Sequence, residues 1–573
     1  MHGRRSQRIG WWVAFAAGLA LMGLLGRGSS AAPKTVDDAT IAHVLSRTTF
    51  GPTPGDVARV RAMGLERYLD EQLHPEQLSD ADVRARLAAF QTLSLDSATI
   101  AQRYYEPLLR ERRANKKENG QADTGGDPQD PKDALKNMSP EDRARLRELR
   151  ENGKRVMDEL SQQKVLRAVY SPRQLEEVLV DVWFNHFNVF AGKGPVRGYL
   201  TEYERDAIRP HVLGNFRDLL GAVAKSPAML FYLDNWQSVD PKSAEEMSQR
   251  LDRAMESGGG ARGFGRRRLI QRRLGDGATP EAMAQIKARM PRGINENYAR
   301  ELMELHTLGV GGGYSQADVV EVAKCFTGWT IRGPRQGGGY AFEERRHVKG
   351  PKTVLGVTID KGGEADGEAV LDLLAAHPST ATFIATKLAR RFVADEPPPA
   401  LVTRAAATFT RTHGDLREVV RTILTAPEFI APEARGAKVK TPFEFVVSAL
   451  RATRADVSDA TIAVAHLKTL GMPLYFAQPP TGYADKAEAW VNTGALVSRM
   501  NLAVDLTANR VSGIHVDLAA LAGTTDPAAA RQWAARDLLR GTASSGTEGT
   551  LARGTDVATI AALALGSPEF QRR

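Results

Sequence analysis

Gly293-Ile-Asn-Glu-Asn-Tyr-Ala-Arg-Glu-Leu-Met-Glu-Leu-His-Thr-Leu-Gly309 is followed closely by Ser315-Gln-Ala-Asp-Val-Val-Glu-Val-Ala-Lys-Cys-Phe-Thr-Gly-Trp329. These are two helical patterns divided by a glycine-rich link. The first sets Asn295, Glu296, Asn297, Arg300, Glu301, Glu304 and His306 among core-forming leucines. Polar groups so placed either find partners inside the fold or face a ligand. On a regular helix starting near Asn295, the residues Asn297, Glu301 and Glu304 fall on one stripe, and Tyr298, Leu302, Leu305 and Leu308 form the adjacent apolar stripe. His306 lies well around the helix from Glu301. In the second pattern Ser315 and Asp318 cap a helix that carries Cys325 and stops at Gly328.

Working outward, helices separated by Pro and Gly account for most of the chain. Thr53-Pro54-Gly55-Asp56 opens a helix with Thr53 as cap, Gly64 ends it, and a second runs from Gly64 to His74-Pro75. Ser139-Pro140 opens a charged helix ending at Gly153, and Thr279-Pro280 opens another. Strand signals are scarce, with residues 352–359 reading as a short hairpin arm. The fold class expected is mainly α: a large multi-helical protein with at most a short β-hairpin and two insertions, one charged and one Gly/Arg-rich. The regions are 1–31, a signal peptide; 33–110, an N-terminal helical region; 111–153, the charged insertion; 154–241 plus 280–360, a central helical core; 242–279, the Gly/Arg-rich insertion; 361–450 and 451–573, two further helical regions.

An internal echo accompanies this. Phe216-Arg-Asp-Leu-Leu220 leads to Ser226-Pro227, Leu416-Arg-Glu-Val-Val420 leads to Ala426-Pro427, and a weaker copy runs from Asp556 to Ser567-Pro568. Duplicated domains would produce this; a recurring helix-stop device is the simpler account.

The N-terminus reads as a secretory leader. Arg4, Arg5 and Arg8 precede the apolar run from Trp11 to Leu25, and small residues follow at Ser29 to Ala32. The run is short for a membrane span, so export with cleavage is expected over an uncleaved anchor, and general secretion over the twin-arginine route. The protein would then be periplasmic or extracellular. A single cysteine among 573 residues excludes an internal disulfide. Cys325, in an apolar run, is expected to be buried and inert. The formal charge of +9 falls to +5 once Arg4, Arg5, Arg8 and Arg27 are set aside. Much of that excess sits in residues 262–273, a basic tract flanked by glycines, and nucleic acid is not expected as a partner. The remaining chain of about 540 residues has room for two or three domains.

Several longer motifs join the opening stretch: His43-Val-Leu-Ser-Arg-Thr-Thr-Phe-Gly-Pro-Thr-Pro54, Trp183-Phe-Asn-His-Phe-Asn188, Tyr203-Glu-Arg-Asp-Ala-Ile-Arg-Pro-His211, Asn215-Phe-Arg-Asp-Leu-Leu220, Pro227-Ala-Met-Leu-Phe-Tyr-Leu-Asp-Asn235, Thr327-Gly-Trp329 and Ser567-Pro-Glu-Phe-Gln571. Across nearly the whole mature chain they resemble the bacterial family catalogued as domain of unknown function 1800. The resemblance implies an exported, largely helical bacterial protein. It also implies gene neighbours of an exported, sulfatase-like family, hence a sulfatase-like partner and a shared envelope or polysaccharide process. One departure stands out: His-Asp is expected near position 347, where this chain has His347-Val348.

The chain has no His-Glu-x-x-His pair, no Cys-x-x-Cys and no phosphate loop. Glu301 and Glu304 have the i, i+3 spacing of carboxylate metal sites, and His186 is the imidazole from another helix that could complete a divalent-metal set. In that reading Glu301 or Glu304 acts as ligand or general base, and Arg205 binds an anionic substrate group. Asn297 and His306 would line the same cleft. The alternative is a structural network, with Arg300 paired to neighbouring glutamates, Asn295 as a cap, and Arg205 and Arg209 paired to carboxylates of this helix. A third reading needs no catalysis: Trp183, Tyr203 and Trp329, in an aromatic-rich set, would hold sugar rings. The functions kept open are a metal-dependent enzyme acting on envelope or extracellular polysaccharide and a non-catalytic glycan-binding or scaffold protein. Residues 383–393 and 440–447 read as core helices, and 478–483 as a rigid loop able to line a site.

Overall fold

In the computed structural model, which describes residues 36–111, 139–256 and 293–573, capping chemistry places the helix ends. The helix Asp56–Met63 begins after Gly55 and closes with the Gly64 N–H on the Val60 carbonyl; Leu65–Leu73 follows. Thr53 is not the cap: its N–H and hydroxyl both donate to Asp56 Oδ2, which fixes the turn before the helix. Ser139 accepts the Asp142 N–H and opens Pro140–Tyr170, which runs through Gly153, the expected stop. Gly153 sits inside this helix beside the Tyr104 carbonyl, where even a Cβ would make only an ordinary contact at 3.5 Å. Beyond it Val156, Leu160, Val165 and Val169 are buried, which supplies the apolar stripe that keeps the helix going.

Ser315 and Asp318 form a reciprocal capping box on Gln316–Cys325, and the chain turns at Gly328 with φ 85°. Cys325 is buried, and its surroundings push the thiol up to about 12. The expected hairpin forms, Lys352–Val354 pairing antiparallel with Val357–Ile359. Two more short antiparallel pairs join Trp329–Ile331 to Tyr340–Phe342 and Asp456–Val457 to Ile514–His515. With no described strand longer than three residues, the protein is mainly α.

The echoed segments are helices begun by matching caps. Asn215, Asp415 and Asp556 cap Phe216–Lys225, Leu416–Leu424 and Val557–Gly566, each accepting a backbone N–H of the first turn. The first two copies start against each other: Phe216 N–H donates to the Gly414 carbonyl at 2.8 Å, and Leu416 N–H to the Gly214 carbonyl at 2.9 Å.

Residues Asp38–Arg573 form one compact unit, and one hydrophobic cluster extends from Ile41 to Phe570. The helical regions read from the sequence therefore share a core. No helix among the described residues is long and apolar enough to cross a membrane. The segment read as a leader, most of the charged insertion, and the insertion beyond Glu256 with its basic tract and expected Thr279-Pro280 start lie outside the described residues.

Candidate functional site

The helix Gln174–His186 buries Leu175, Val178, Leu179 and Trp183, and its last turn carries Trp183-Phe-Asn-His-Phe-Asn188. The two asparagines in that motif are clamps. Asn185 Nδ2 donates to the Tyr483 carbonyl at 2.7 Å and its Oδ1 accepts the Tyr483 N–H at 2.7 Å. Asn188 Nδ2 donates to the carbonyls of Ala477 and Pro479 at 3.0 and 2.9 Å. The loop 477–483 is thus stapled to the helix end by backbone recognition. Gly482 sits at φ 71°, and a Cβ there would lie 2.4 Å from the Asn185 carbonyl. Only glycine fits that approach.

Between the clamps, His186 is buried. Its Nε2 lies 3.1 Å from the His306 carbonyl and its Nδ1 lies 2.9 Å from Lys387 Nζ. A carbonyl only accepts, so Nε2 carries the hydrogen and Nδ1 is left as the acceptor for the lysine. Burial, then the Lys387 charge, pushes His186 well below the usual imidazole range, so it is neutral at physiological pH. Lys387 is half-buried on the helix Pro378–Phe392. Burial, followed by the Arg390 charge, brings its ammonium down to about 8, while Asp485 acts in the opposite direction.

The carbonyl that receives His186 is aimed by a change of helix type. The helix Glu296–Glu301 widens into a π turn over Leu302–Thr307, where Leu308 N–H reaches back to the Met303 carbonyl at 2.8 Å and Thr307 Oγ1 donates to the Leu302 carbonyl at 2.7 Å. Such turns add a residue and shift the phase of everything after them. His306 is buried and drawn down to about 3 by burial and then Lys387, with Nε2 lacking a protein partner.

The cleft beside His186 has a volume of about 280 Å³. Asn185, His186, Lys387, Arg390, Arg391, Tyr483 and Asp485 line it. Lys387, Arg390 and Arg391 carried a signal in the sequence, three cations at i, i+3 and i+4 on a helix otherwise built from Ile384, Leu388 and Phe392. That signal was hidden by reading 383–393 as core alone.

The residues expected to form a metal site do not converge. Among the described residues no group of three His, Cys, Asp or Glu side chains could hold a metal ion. Both His186 nitrogens are engaged, one by a carbonyl and one by an ammonium, and a positive Lys387 disfavours a second cation there. Glu301 and Glu304 remain a half-exposed pair: burial and then Glu304 raise Glu301, and Glu304 accepts the Tyr314 hydroxyl at 2.9 Å. The donor set His186, Glu301, Glu304 does not fit a divalent metal, and no step is derived through one.

Arg205 is also elsewhere. Its Nε and Nη2 fork onto Asp206, and Nη1 donates to the carbonyls of Leu93 and Leu95, both at 2.9 Å, closing a turn. Neither Arg205 nor Arg209 pairs with the Glu296–Glu301 helix; Arg209 holds Glu177 at 2.7 Å. Arg300 does find Glu296, at 3.8 Å, and Asn295 is the cap. Asn297 is exposed on the outer stripe. Trp183, Tyr203 and Trp329 are 2%, 1% and 0% exposed, so none can stack on a sugar ring. Trp183 Nε1 donates to the Val212 carbonyl and the Tyr203 hydroxyl to the Phe187 carbonyl, so both are core residues.

The departure at His347-Val348 has a structural answer. His347 Nε2 lies 3.1 Å from Asp366 Oδ2, which Lys352 Nζ reaches at 2.5 Å, while Asp366 Oδ1 accepts the N–H groups of Lys361 and Gly362 at 2.8 Å. Against the effect of burial, the hydrogen bonds from Lys352 and His347 hold the Asp366 carboxyl below its usual range. In this chain His347 thus finds its carboxylate in Asp366, on the helix Glu364–Ala375, inside a buried network.

No curated protein and no solved structure matches the chain. A family match does cover both ends of the architecture above, from His43, whose ring nitrogen Nε2 meets the Phe429 carbonyl, to the closing Arg572. With residues 43–572 matched by its model, the chain belongs to the family described as protein of unknown function DUF1800.

Proposed function

We propose that this is an exported protein of the bacterial envelope that binds a polysaccharide-type ligand in the His186–Lys387 cleft and acts on it by acid–base chemistry. The observation that carries this reading is the Lys387–His186 pair: an amine drawn down to about 8, hydrogen-bonded at 2.9 Å to an imidazole whose tautomer is fixed by the His306 carbonyl. General acid–base groups work best when they titrate near the working pH. In the protonated state Lys387 Nζ can deliver a proton to the leaving oxygen of a glycosidic bond while water bonds to the carbon it leaves; the amine, still donating a hydrogen bond to His186 Nδ1, then regains a proton from that water. Asn185 and Asn188 hold Tyr483 and the loop over the cleft, so the ligand meets a preset wall. The reading departs from a metal-dependent enzyme because the donor set does not fit. An exported, sulfatase-like protein is the partner that family resemblance suggests.

The test is turnover and binding by wild type and Lys387→Met on a panel of envelope polysaccharides, read as new reducing or unsaturated ends and by calorimetry. Wild type should turn over one of them below about pH 8, with a loss of about 100-fold or more in the variant. Binding without turnover in both proteins would favour a glycan-binding scaffold. Absence of binding to every polysaccharide would sink the cleft as the working site.

A further inference from the structure

We infer that the cleft receives an oxyanion of its ligand, a carboxylate, sulfate or phosphate group, held between Lys387, Arg390 and Arg391; this rests on the cleft being the ligand site. The first observation is Arg391. It is 5% exposed and lines the cleft; Nη1 is bound to Glu444, but Nε and Nη2 have no protein partner. Buried guanidinium donors left open are costly, and an oxyanion offering two adjacent oxygens is the group whose geometry satisfies them.

The second observation is the charge balance of the wall. Both acids lining the cleft are already claimed by lysines outside it: Asp181 by Lys164 at 2.7 Å, and Asp485 by Lys438 at 2.9 Å. Lys486 is likewise occupied by Glu396 at 2.7 Å. Lys387 and Arg390 form no ion pair among the described residues; Arg390 Nε donates only to the Asp395 carbonyl. Three cations thus share one helix face, two without a direct ion pair among the described residues and one with open donors. Like charges at this spacing destabilise a helix unless an anion sits among them. Burial first, and then the Arg390 charge, lowers the Lys387 ammonium, with Asp485 acting the other way.

The ligand chemistry is that of an acidic saccharide or a phosphorylated or sulfated one, and the test separates these sources. Wild-type protein in a chloride buffer at pH 7 and fixed ionic strength is titrated with glucuronate, inorganic sulfate, inorganic phosphate, and glucose as neutral control. The readouts are calorimetry, melting temperature, and the pH midpoint of Lys387 labelling by trinitrobenzenesulfonate. At least one anion should bind, raise the melting temperature and move the labelling midpoint upward, whereas glucose should do none of these. Glucuronate alone would assign a carboxylate, and sulfate or phosphate the corresponding ester. Arg390→Gln should weaken that binding at least tenfold while melting no lower than wild type without anion, since it removes repulsion. Arg391→Lys, which keeps charge for Glu444 but lacks the fork, should weaken it as well. Equal binding to Arg390→Gln, or no anion exceeding chloride, would overturn the inference. Turnover of a neutral glycan with no anion effect would overturn it while leaving the acid–base reading intact.

Discussion

At Lys387 a single side chain carries two consequences of burial. The ammonium loses water and gains a neighbouring cation in Arg390, so its charged form is disfavoured. Labelling of surface lysines by trinitrobenzenesulfonate should rise with a midpoint near their ordinary 10.5, and that of Lys387 near 8, read by peptide mass spectrometry across a pH series. A Lys387 midpoint at the surface value would contradict the geometry. His186 marks the limit of residue-scale reading. The sequence shows an imidazole in an aromatic setting; it does not show that a carbonyl from one segment and an ammonium from another occupy its two nitrogens.

The elements that build the cleft are a helix end, a π turn and a stapled loop. Each was partly visible. The asparagines of Trp183-Phe-Asn-His-Phe-Asn188 stand at a helix terminus, and the loop 477–483 is rich in Pro and Gly, but their pairing spans nearly three hundred residues. Gly482→Ala tests the staple, because it adds a Cβ against the Asn185 carbonyl at a positive φ. It should cost about 1–3 kcal/mol in urea unfolding and weaken ligand binding in the cleft. Unchanged stability would mean that the loop does not sit on Asn185. The helical stripe of Asn297, Glu301 and Glu304 was legible as a face, yet its orientation toward water was not. The π turn after Glu301 resets the phase, placing His306 in the core and leaving the two glutamates half-exposed.

For the whole molecule, the shared core decides the response to acid. Glu444 lies between Arg391 and Arg573, whose charges, against the effect of burial, hold its carboxyl at about 2. Its stabilisation is full above the ordinary 4.5 and is lost as pH falls toward 2. His43 and His306 are drawn by burial to about 4 and about 3, so between the ordinary 6.5 and those values the unfolded chain takes up protons that the folded chain refuses. Stability should therefore be nearly flat from pH 7 to 6.5 as far as these groups are concerned. Below 6.5 it should fall by up to about 1.4 kcal/mol per pH unit for each histidine, with Glu444 adding below 4.5. Urea unfolding over this range checks it, and His43→Asn should reduce the slope. Glu444→Gln, which strands two buried arginines, should cost about 3–5 kcal/mol at pH 7.

The sequence by itself determined the family, the mainly α class, the principal helix caps, the hairpin at 352–359 and the buried thiol, because each follows from local periodicity or a contiguous motif. Only the tertiary structure decided the site. It set Glu301 and Glu304 apart from His186, enclosed Trp183, Tyr203 and Trp329, and joined His186 to Lys387 across two hundred residues. The physical reason is that a site's chemistry is set by desolvation and by charges a few ångströms away, and these depend on how helices pack against one another, which periodicity within one helix does not specify.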